Sequence, residues 1–360
     1  MAWRVWSCDT KTGDKLAILP AASFPWSNVL NGGGQGSASF LQGVPFLGAG
    51  LPWRDLLEPV KRTLVIEWDG EPVSAGVIWD WHYDRDKQAT DVRHADIGSI
   101  LSRRLVSSHN ASGIEKTKIE HASYSLWRLA RGVVEAATSG GPSYALPIFY
   151  QGWEDGTHKR TYRGYHMPVA LEALEAIAGA AGGPDYVFDP RWSADGSRLE
   201  YLMRDGIDTA PGLEFNLSAP RCAVFGVTVD RDANKVSNVV IGTGEGQEED
   251  LRTRSAVDAA SPYPALVSVQ SWSQEDDLAV LQQNVDGVLA RSKAPTEQWS
   301  ASMHAGDEQR VTLLKLGRYF RFYSKGDPMI PDGFHTHRLI RYSGDALAFT
   351  VKLDFQPVGG

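Results

Sequence analysis

The chain has 360 residues, 42% of them apolar and 22% charged, the make-up of an ordinary globular protein with material for roughly two to three domains. A formal charge of −8 argues against a nucleic-acid binder, which needs a basic footprint to displace counterions from phosphate. Cys8 and Cys222 are too few and too distant in sequence for a disulfide framework or a zinc site, and they fit folding in a reducing cytoplasm. No apolar run approaches the ~18 residues of a membrane span, and Met1 leads into a Trp-rich segment with no visible secretory leader.

In chain order, strand and turn signals dominate the first hundred residues. Trp3 to Asp9 and Leu16 to Leu19 bracket a Thr12-Gly13 turn, and a glycine-built turn at Gly32-Gly33-Gly34 precedes Ser37-Ala38-Ser39-Phe40. Arg62 to Trp79 reads as a hairpin around Asp69-Gly70. Val77, Trp79, Trp81 and Tyr83 alternate with Ile78, Asp80, His82 and Asp84, a period of two that gives one aromatic and one mostly polar face. Close-spaced short strands with Gly, Pro and Asn turns imply a small barrel or sandwich.

The pattern changes near residue 93. Ile97, Ile100, Leu101 and Leu105 have helical spacing, a stronger helix is expected through Ala122, Leu126, Leu129, Ala130 and Val133, and a third from Pro168 to Ala180. Tyr186 to Phe188 and Leu199 to Leu202 flank an Asp195-Gly196 turn. Strands return from about 213, where Cys222 to Val229 and Val236 to Ile241 are expected to form a hairpin. One more helix is predicted after Ser273 as N-cap, with Leu278, Leu281, Val285, Val288 and Leu289 as its stripe. Four closing strands are expected at Val311 to Leu316, Tyr319 to Tyr323, His335 to Tyr342 and Ala348 to Phe355.

The opening stretches, together with Gly183-Pro184-Asp185-Tyr186-Val187-Phe188-Asp189-Pro190, Gly242-Thr243-Gly244-Glu245-Gly246, Gly317-Arg318-Tyr319-Phe320 and Gly326-Asp327, resemble the tail-hub (minor tail) proteins of long-tailed siphovirus phages of actinobacteria, relatives of the baseplate hub proteins of contractile tails. The resemblance implies a β-rich α+β fold: two small antiparallel β-barrel domains carrying two α/β insert lobes. The corresponding division is a first barrel at 1–92, an α+β lobe at 93–212, a second barrel at 213–260 and 300–360, and a small helix-containing insert at 261–299. It further implies a non-enzymatic virion protein of the tail tip, made in the host bacterial cytoplasm. As a homotrimeric ring it would adapt a hexameric tail tube to a three-fold tip around a channel through which DNA passes without specific binding. Its expected partners are the distal tail ring protein, the tape-measure protein and further tip proteins. Trp3, Trp6, Trp26 and Trp79 are the candidates for packing or interface positions, since an indole combines a large apolar area with one polar N–H. The Asp327 to Gly333 loop departs from the family pattern by its length. The chain stops soon after its last strand, so no appended lytic or receptor-binding module is expected.

Two other readings stand beside this one: a carbohydrate-binding tip module using exposed tryptophans, and a tail-associated cell-wall hydrolase. The chemical motifs give the second little support. Gly32 to Gly36 lacks the Lys-Ser/Thr and helix of a phosphate loop, and Gly242 to Gly246 has a misplaced third glycine beside Glu245, Glu248, Glu249 and Asp250. Asp80, His82, Asp84 and Asp86, with Asp91 and His94 near in sequence, offer divalent-cation ligands if the strand stays regular, but read more simply as a solvated face. Asp230, Asp232 and Asn234 mimic the start of a calcium loop, yet Lys235 and Ile241 stand where its glycine and bidentate Glu belong. His335 and His337, with His304, suit a polar strand face or subunit contact. Glu67, Glu71, Glu154 and Asp155 are the carboxylates a hydrolase would pair. No catalytic residue, cofactor or metal is expected.

Overall fold

The computed structural model describes residues 3–48, 50–106, 113–210, 212–306, 311–345 and 349–357. Alternating apolar residues and tight Gly turns build most of the molecule as β-structure. Trp3–Asp9 pairs with Lys15–Ile18 on one side and Arg62–Trp68 on the other. Arg62–Trp68 turns through Asp69 and Gly70, at φ 53° and 92°, into the long strand Glu71–Asp84, the left-handed pair that matches strand twist in a two-residue hairpin. The ladder continues through Ala89–Ala95 and Gln35–Leu41 to Pro25–Val29, which completes the first barrel-like sheet.

The second sheet runs from Val224–Asp232 through Thr296–His304 and Thr350–Pro357 to Gly333–Asp345, then to Tyr319–Ser324. Glu214–Asn216 adds to Tyr319–Ser324 in parallel. The two sheets are hydrogen-bonded to each other, because Pro25–Val29 pairs with Arg341 to Asp345 at the end of Gly333–Asp345. One ladder of 15 strands therefore carries both units. Beneath it a single apolar cluster contains Phe40, Ile66 and Trp68 from the first sheet and Phe320, Phe322 and Phe355 from the second.

A single helical turn, α1 (Trp53–Leu56), sets Leu56 into this core, and two lobes stand on the base. In the first, the helices α2 (Leu126–Thr138) and α3 (Ala170–Gly179) bury Leu129, Val133, Leu174 and Ile177 with Tyr186 and Met203. Tyr186–Trp192 and Leu199–Asp205 form the expected hairpin, with Ile148–Tyr150 added in parallel, and Lys118–Tyr124 pairs with His158–Arg163 as a separate two-stranded sheet. In the second lobe, Val239–Thr243 lies between Thr253–Val257 and Val267–Ser271. A third long helix, α4 (Leu278–Ser292), covers one face with Leu281 and Val285. The lobes touch where Gly287 of α4 meets the end of α3. A Cβ at Gly287 would lie 2.4 Å from the Gly179 carbonyl oxygen, and the same carbonyl accepts the Arg291 guanidinium.

The molecule is thus the β-rich α+β assembly of two antiparallel barrel-like sheets and two α/β lobes that the sequence implies. Several local expectations change. Ile97–Arg103 is a 3-10 segment instead of an α-helix, with Asp96 accepting the Ser99 amide at its start. Ala122 lies in a strand, since the polar alternation of Lys118–Tyr124 prevails until Ser125 caps α2 through the Arg128 amide. Asp277, not Ser273, caps α4, its carboxylate accepting from Ala279 and Val280. The hairpin of 222–229 with 236–241 does not form: Val224–Asp232 takes Thr296–His304 as partner, and Val239–Thr243 belongs to the second lobe. Val311–Leu313 is a 3-10 turn where a strand was expected, and the last strand is Thr350–Pro357, with Ala348 outside the described residues.

His94 shows how tightly the first sheet is packed. It is 5% exposed, lies at 5.4 Å against Phe24, and has no partner on either ring nitrogen. Two glycines make room for the ring: a Cβ at Gly76 or Gly36 would come within 2.1 Å of Nδ1 or 2.5 Å of Nε2. Burial pushes its pKa down from 6.5 to about 4. Above pH 6.5 the ring is neutral in folded and unfolded chains alike, and below it the unfolded chain takes the proton first. Stability is therefore lost as pH falls from 6.5 towards about 4, by about 2–3 kcal/mol from this residue. Urea unfolding at neutral and mildly acidic pH will show that loss reduced in His94→Phe, which keeps a planar ring but cannot titrate; an unchanged pH dependence would exclude His94 as its source.

Candidate functional site

The aromatic residues of the opening strand divide between two cores. Trp3 lies 4.5 Å from Trp68 and 6.1 Å from Trp26, and Trp26, only 2% exposed, meets Tyr342 of the second sheet edge-on at 5.6 Å. Trp6 and Trp79 instead border a small cluster of Cys8, Val65, Val77 and Ile97 beneath the first lobe. Trp79 donates Nε1–H to Ser99 Oγ at 2.9 Å, and Arg103 lies over its ring. Of the four, Trp26 is a packing residue, while Trp3, Trp6 and Trp79 keep part of their surface exposed.

Trp6 has a partner that sequence periodicity misses. Glu67, 3% exposed, accepts from Trp6 Nε1 at 3.0 Å and from Trp192 Nε1 at 3.2 Å on the same oxygen, while Arg4 reaches its other oxygen at 3.3 Å. Lys15 Nζ sits 3.6 Å from the Trp192 ring centre and 4.6 Å from that of Trp6, a cation held by two indole faces. Burial pulls the Lys15 ammonium below its usual range and Glu67 opposes that fall. Trp192 belongs to the lobe hairpin and Trp6 to the first sheet, so one carboxylate fastens lobe to barrel.

A second carboxylate fastens the first lobe to both sheets. Asp185 accepts from Asn31 Nδ2 of the first sheet at 2.5 Å and from the Arg338 guanidinium of the second, and Asn31 Oδ1 takes the Tyr186 amide at 2.8 Å. Asp189, four residues on, pairs with Arg204. Of the acids in the Gly183 to Pro190 stretch, Asp185 is thus a strut between units and Asp189 a brace within the lobe hairpin.

Both glycine runs are occupied by the protein itself. Asp96 Oδ2 accepts the Gly34 amide at 2.7 Å, and Asp96 also faces the amides of Gly33, Gly98 and Ser99. Burial pushes its carboxyl up, and the amides oppose that rise; a resident carboxyl group fills the place a phosphate would take. An Asp directly before the periodic residues of 97–103 is an N-cap signal, which would have revealed it. At the second run, the Gly244 amide donates to Arg252 O and the Glu245 amide to Glu275 O, and no α-helix follows directly.

The proposed cation ligands do not converge on one point, although His82 and Asp91 are cross-strand neighbours. Asp80 pairs with Arg93 at 2.8 Å and Asp84 with Lys87 at 3.0 Å, Asp91 accepts from Ser39 Oγ, and His94 is in the interior. Asp232 accepts the Asn234 amide, closing a turn. His335 and His337 both pack with tilted rings against Trp299, at 5.5 and 4.2 Å, whereas His304 packs in the same way against Phe225. Among the described residues no group of three or more His, Cys, Asp or Glu could hold a metal ion. Asp155 pairs with Arg128, and Glu67 is spoken for by its indoles, so two of the carboxylates named from sequence have partners within the protein.

No protein-family model and no curated protein matches the sequence. Solved structures do. The chain is similar to the 43 kDa tail protein of prophage MuSo2 from Shewanella oneidensis, with a TM-score of 0.61 and 11% identity over 98% of each chain. It is similar to the tail protein from Neisseria meningitidis MC58, with a TM-score of 0.58 and 13% identity over 100% of this chain and 98% of that one. The prophage tail protein gp18 from Listeria monocytogenes EGD-e gives a TM-score of 0.54 at 10% identity over 98% and 94%. At such identities the likeness is one of fold, and it extends over sheets and lobes together: the chain has the fold of phage tail proteins.

The Glu67 cluster makes a direct prediction. Glu67→Leu leaves two indole N–H groups without their acceptor, and urea unfolding will show a loss of about 2–3 kcal/mol. Glu67→Gln, which retains one acceptor oxygen, will lose less; equal losses would mean that the carboxylate is not what joins Trp6 to Trp192.

Proposed function

We propose that the protein is a structural, non-enzymatic component of the tail of a long-tailed phage, acting as the hub of its tip. The observation that carries this reading is the fold match to phage tail proteins across nearly the whole chain. The hub role adds a geometric argument. Two barrel-like units sit at one fixed angle in each chain, because they share a hydrogen-bonded ladder at Pro25–Val29 and Arg341 to Asp345. Three copies related by a three-fold axis then offer six comparable surfaces, the number a hexameric tube requires.

In this reading the homotrimer surrounds the DNA channel, with a distal tail ring protein, the tape-measure protein and further tip proteins as neighbours. The actinobacterial siphovirus assignment belongs to the same proposal. Trp3, Trp6 and Trp79, each partly exposed, are the tryptophans proposed for contacts between copies. The net charge of −8 suits a channel lining that is acidic or neutral and does not retain DNA in transit.

Cryo-electron microscopy of particles from the source tests this. Three copies ringing the channel directly beyond the tail tube, with few Lys or Arg side chains on the lumen, are expected. Density on peripheral fibres would move the protein to host recognition, and absence from the tail would overturn the assignment.

A further inference from the structure

A cleft of about 810 Å³ lies between the two lobes, within the ~300–1,000 Å³ typical of ligand sites. Nothing in the hub reading assigns it a role. One wall is the strand His158–Arg163, of which five consecutive residues, Lys159 to Arg163, border the space. Side chains of a strand alternate between faces, so an unbroken run of lining residues means that the cleft reaches the edge of the strand, with its outward N–H and C=O groups, as well as the face where the cross-strand neighbours Lys118 and Glu120 also line it. Its other edge pairs with Lys118–Tyr124, and among the described residues no strand pairs with the cleft side.

The facing wall is the segment entering α4, with Glu275, Asp276 and Asp277. The walls therefore differ in the sign of their excess charge: Lys118, Lys159, Arg160 and Arg163 outnumber Glu120 on one, and Glu275 to Asp277 outnumber Arg252 on the other. They approach to 4.0 Å at Arg163 Nη2 and Asp276 Oδ2. Glu275 is partly buried there, and its burial pushes the carboxyl up. Ala173, Ala176 and Ile177 of α3 supply an apolar side. The separation of the walls is set from behind, since Gln283 of α4 accepts from Arg160 at 3.1 Å and Gly287 lies against the end of α3.

We propose that this cleft binds an extended polypeptide segment of a partner protein, added as a third strand to the free edge of His158–Arg163. Acidic side chains of the segment face Lys159 and Arg163, and a basic one faces Glu275 to Asp277. The exposed edge supplies main-chain hydrogen bonds and the two walls supply selectivity, the division of labour of strand-addition sites. A polyanion such as nucleic acid would meet the acidic wall, and a uniformly basic segment would meet the basic one, so the site selects mixed charge. A preset wall spacing lowers the ordering cost of binding. The inference does not depend on the tail assignment.

Selection of random dodecapeptides against the purified full chain tests it. Enriched peptides should carry both signs of charge, and on binding them the amides within Lys159–Arg163 should gain protection from hydrogen exchange. Arg163→Glu and Asp276→Lys, on opposite walls, should each weaken binding by at least about tenfold. Both side chains are well exposed, at 41% and 52%, so melting temperatures serve as a folding control. No enriched peptide, affinities indifferent to both reversals, or unchanged exchange in Lys159–Arg163 would overturn the proposal. Tight binding of a neutral oligosaccharide displaced by neither reversal would assign the cleft to glycans instead.

Discussion

The molecule depends on one short stretch of ladder, the pairing of Pro25–Val29 with Arg341 to Asp345. Without it there would be two curled sheets with separate interiors. With it, the cross-strand partners Asn28 and Tyr342 both send their side chains to the Val73 carbonyl, and Trp26 packs edge-on against Tyr342. The junction tolerates little change, because Gly344 lies against the Trp26 ring, where a Cβ would come to 3.1 Å. Asp345 closes the end by accepting the Phe24 amide at 3.0 Å. A junction made of backbone hydrogen bonds and buried aromatics resists bending in a way that a linker between domains does not. The fixed angle between the two sheets follows from it.

Much of this architecture can be read from the chain where the signal is local. The Asp69-Gly70 and Asp195-Gly196 hairpins are dictated by turn chemistry and by alternation on both sides, and both appear. The false hairpin at 222–241 had equally good local credentials. Its true partner strand, Thr296–His304, lies more than sixty residues further on, and no turn signal reports a pairing of that range. The displaced caps have a simpler cause. Ser273 and Asp277 are both adequate N-caps, and the choice falls to Asp277 because Glu275 receives the Asp277 amide and its carbonyl is held by Glu245. Periodicity of three and four likewise announced a helix at 97–105 without distinguishing an α-helix from the tighter 3-10 turn that Asp96 imposes.

The candidate sites were legible in the negative sense more than the positive. Glycine runs and clustered acids named the places where ligands were conceivable, and the structure shows what occupies them: Asp96 at the first run, Arg252 and Glu275 carbonyls at the second, Arg93 and Lys87 beside the acids of Glu71–Asp84. What the sequence hid is relational. Glu67 collects indoles from residues 6 and 192, and Asp185 joins residues 31 and 338. Neither carboxylate is unusual in its own neighbourhood, and each becomes important through residues more than sixty positions away.

The second lobe leaves the sheet after Asp232 and returns at Thr296, and these two residues are cross-strand partners. The ends of the excursion are therefore held about 5 Å apart by the barrel itself, whatever the intervening chain does. Lengthening such a loop costs stability only logarithmically, roughly 0.6 kcal/mol for each doubling. Selection can therefore rebuild, enlarge or replace the outer decoration without renegotiating the dimensions of the base. The part that must match its neighbours and the part free to diversify are separated at a single pair of residues.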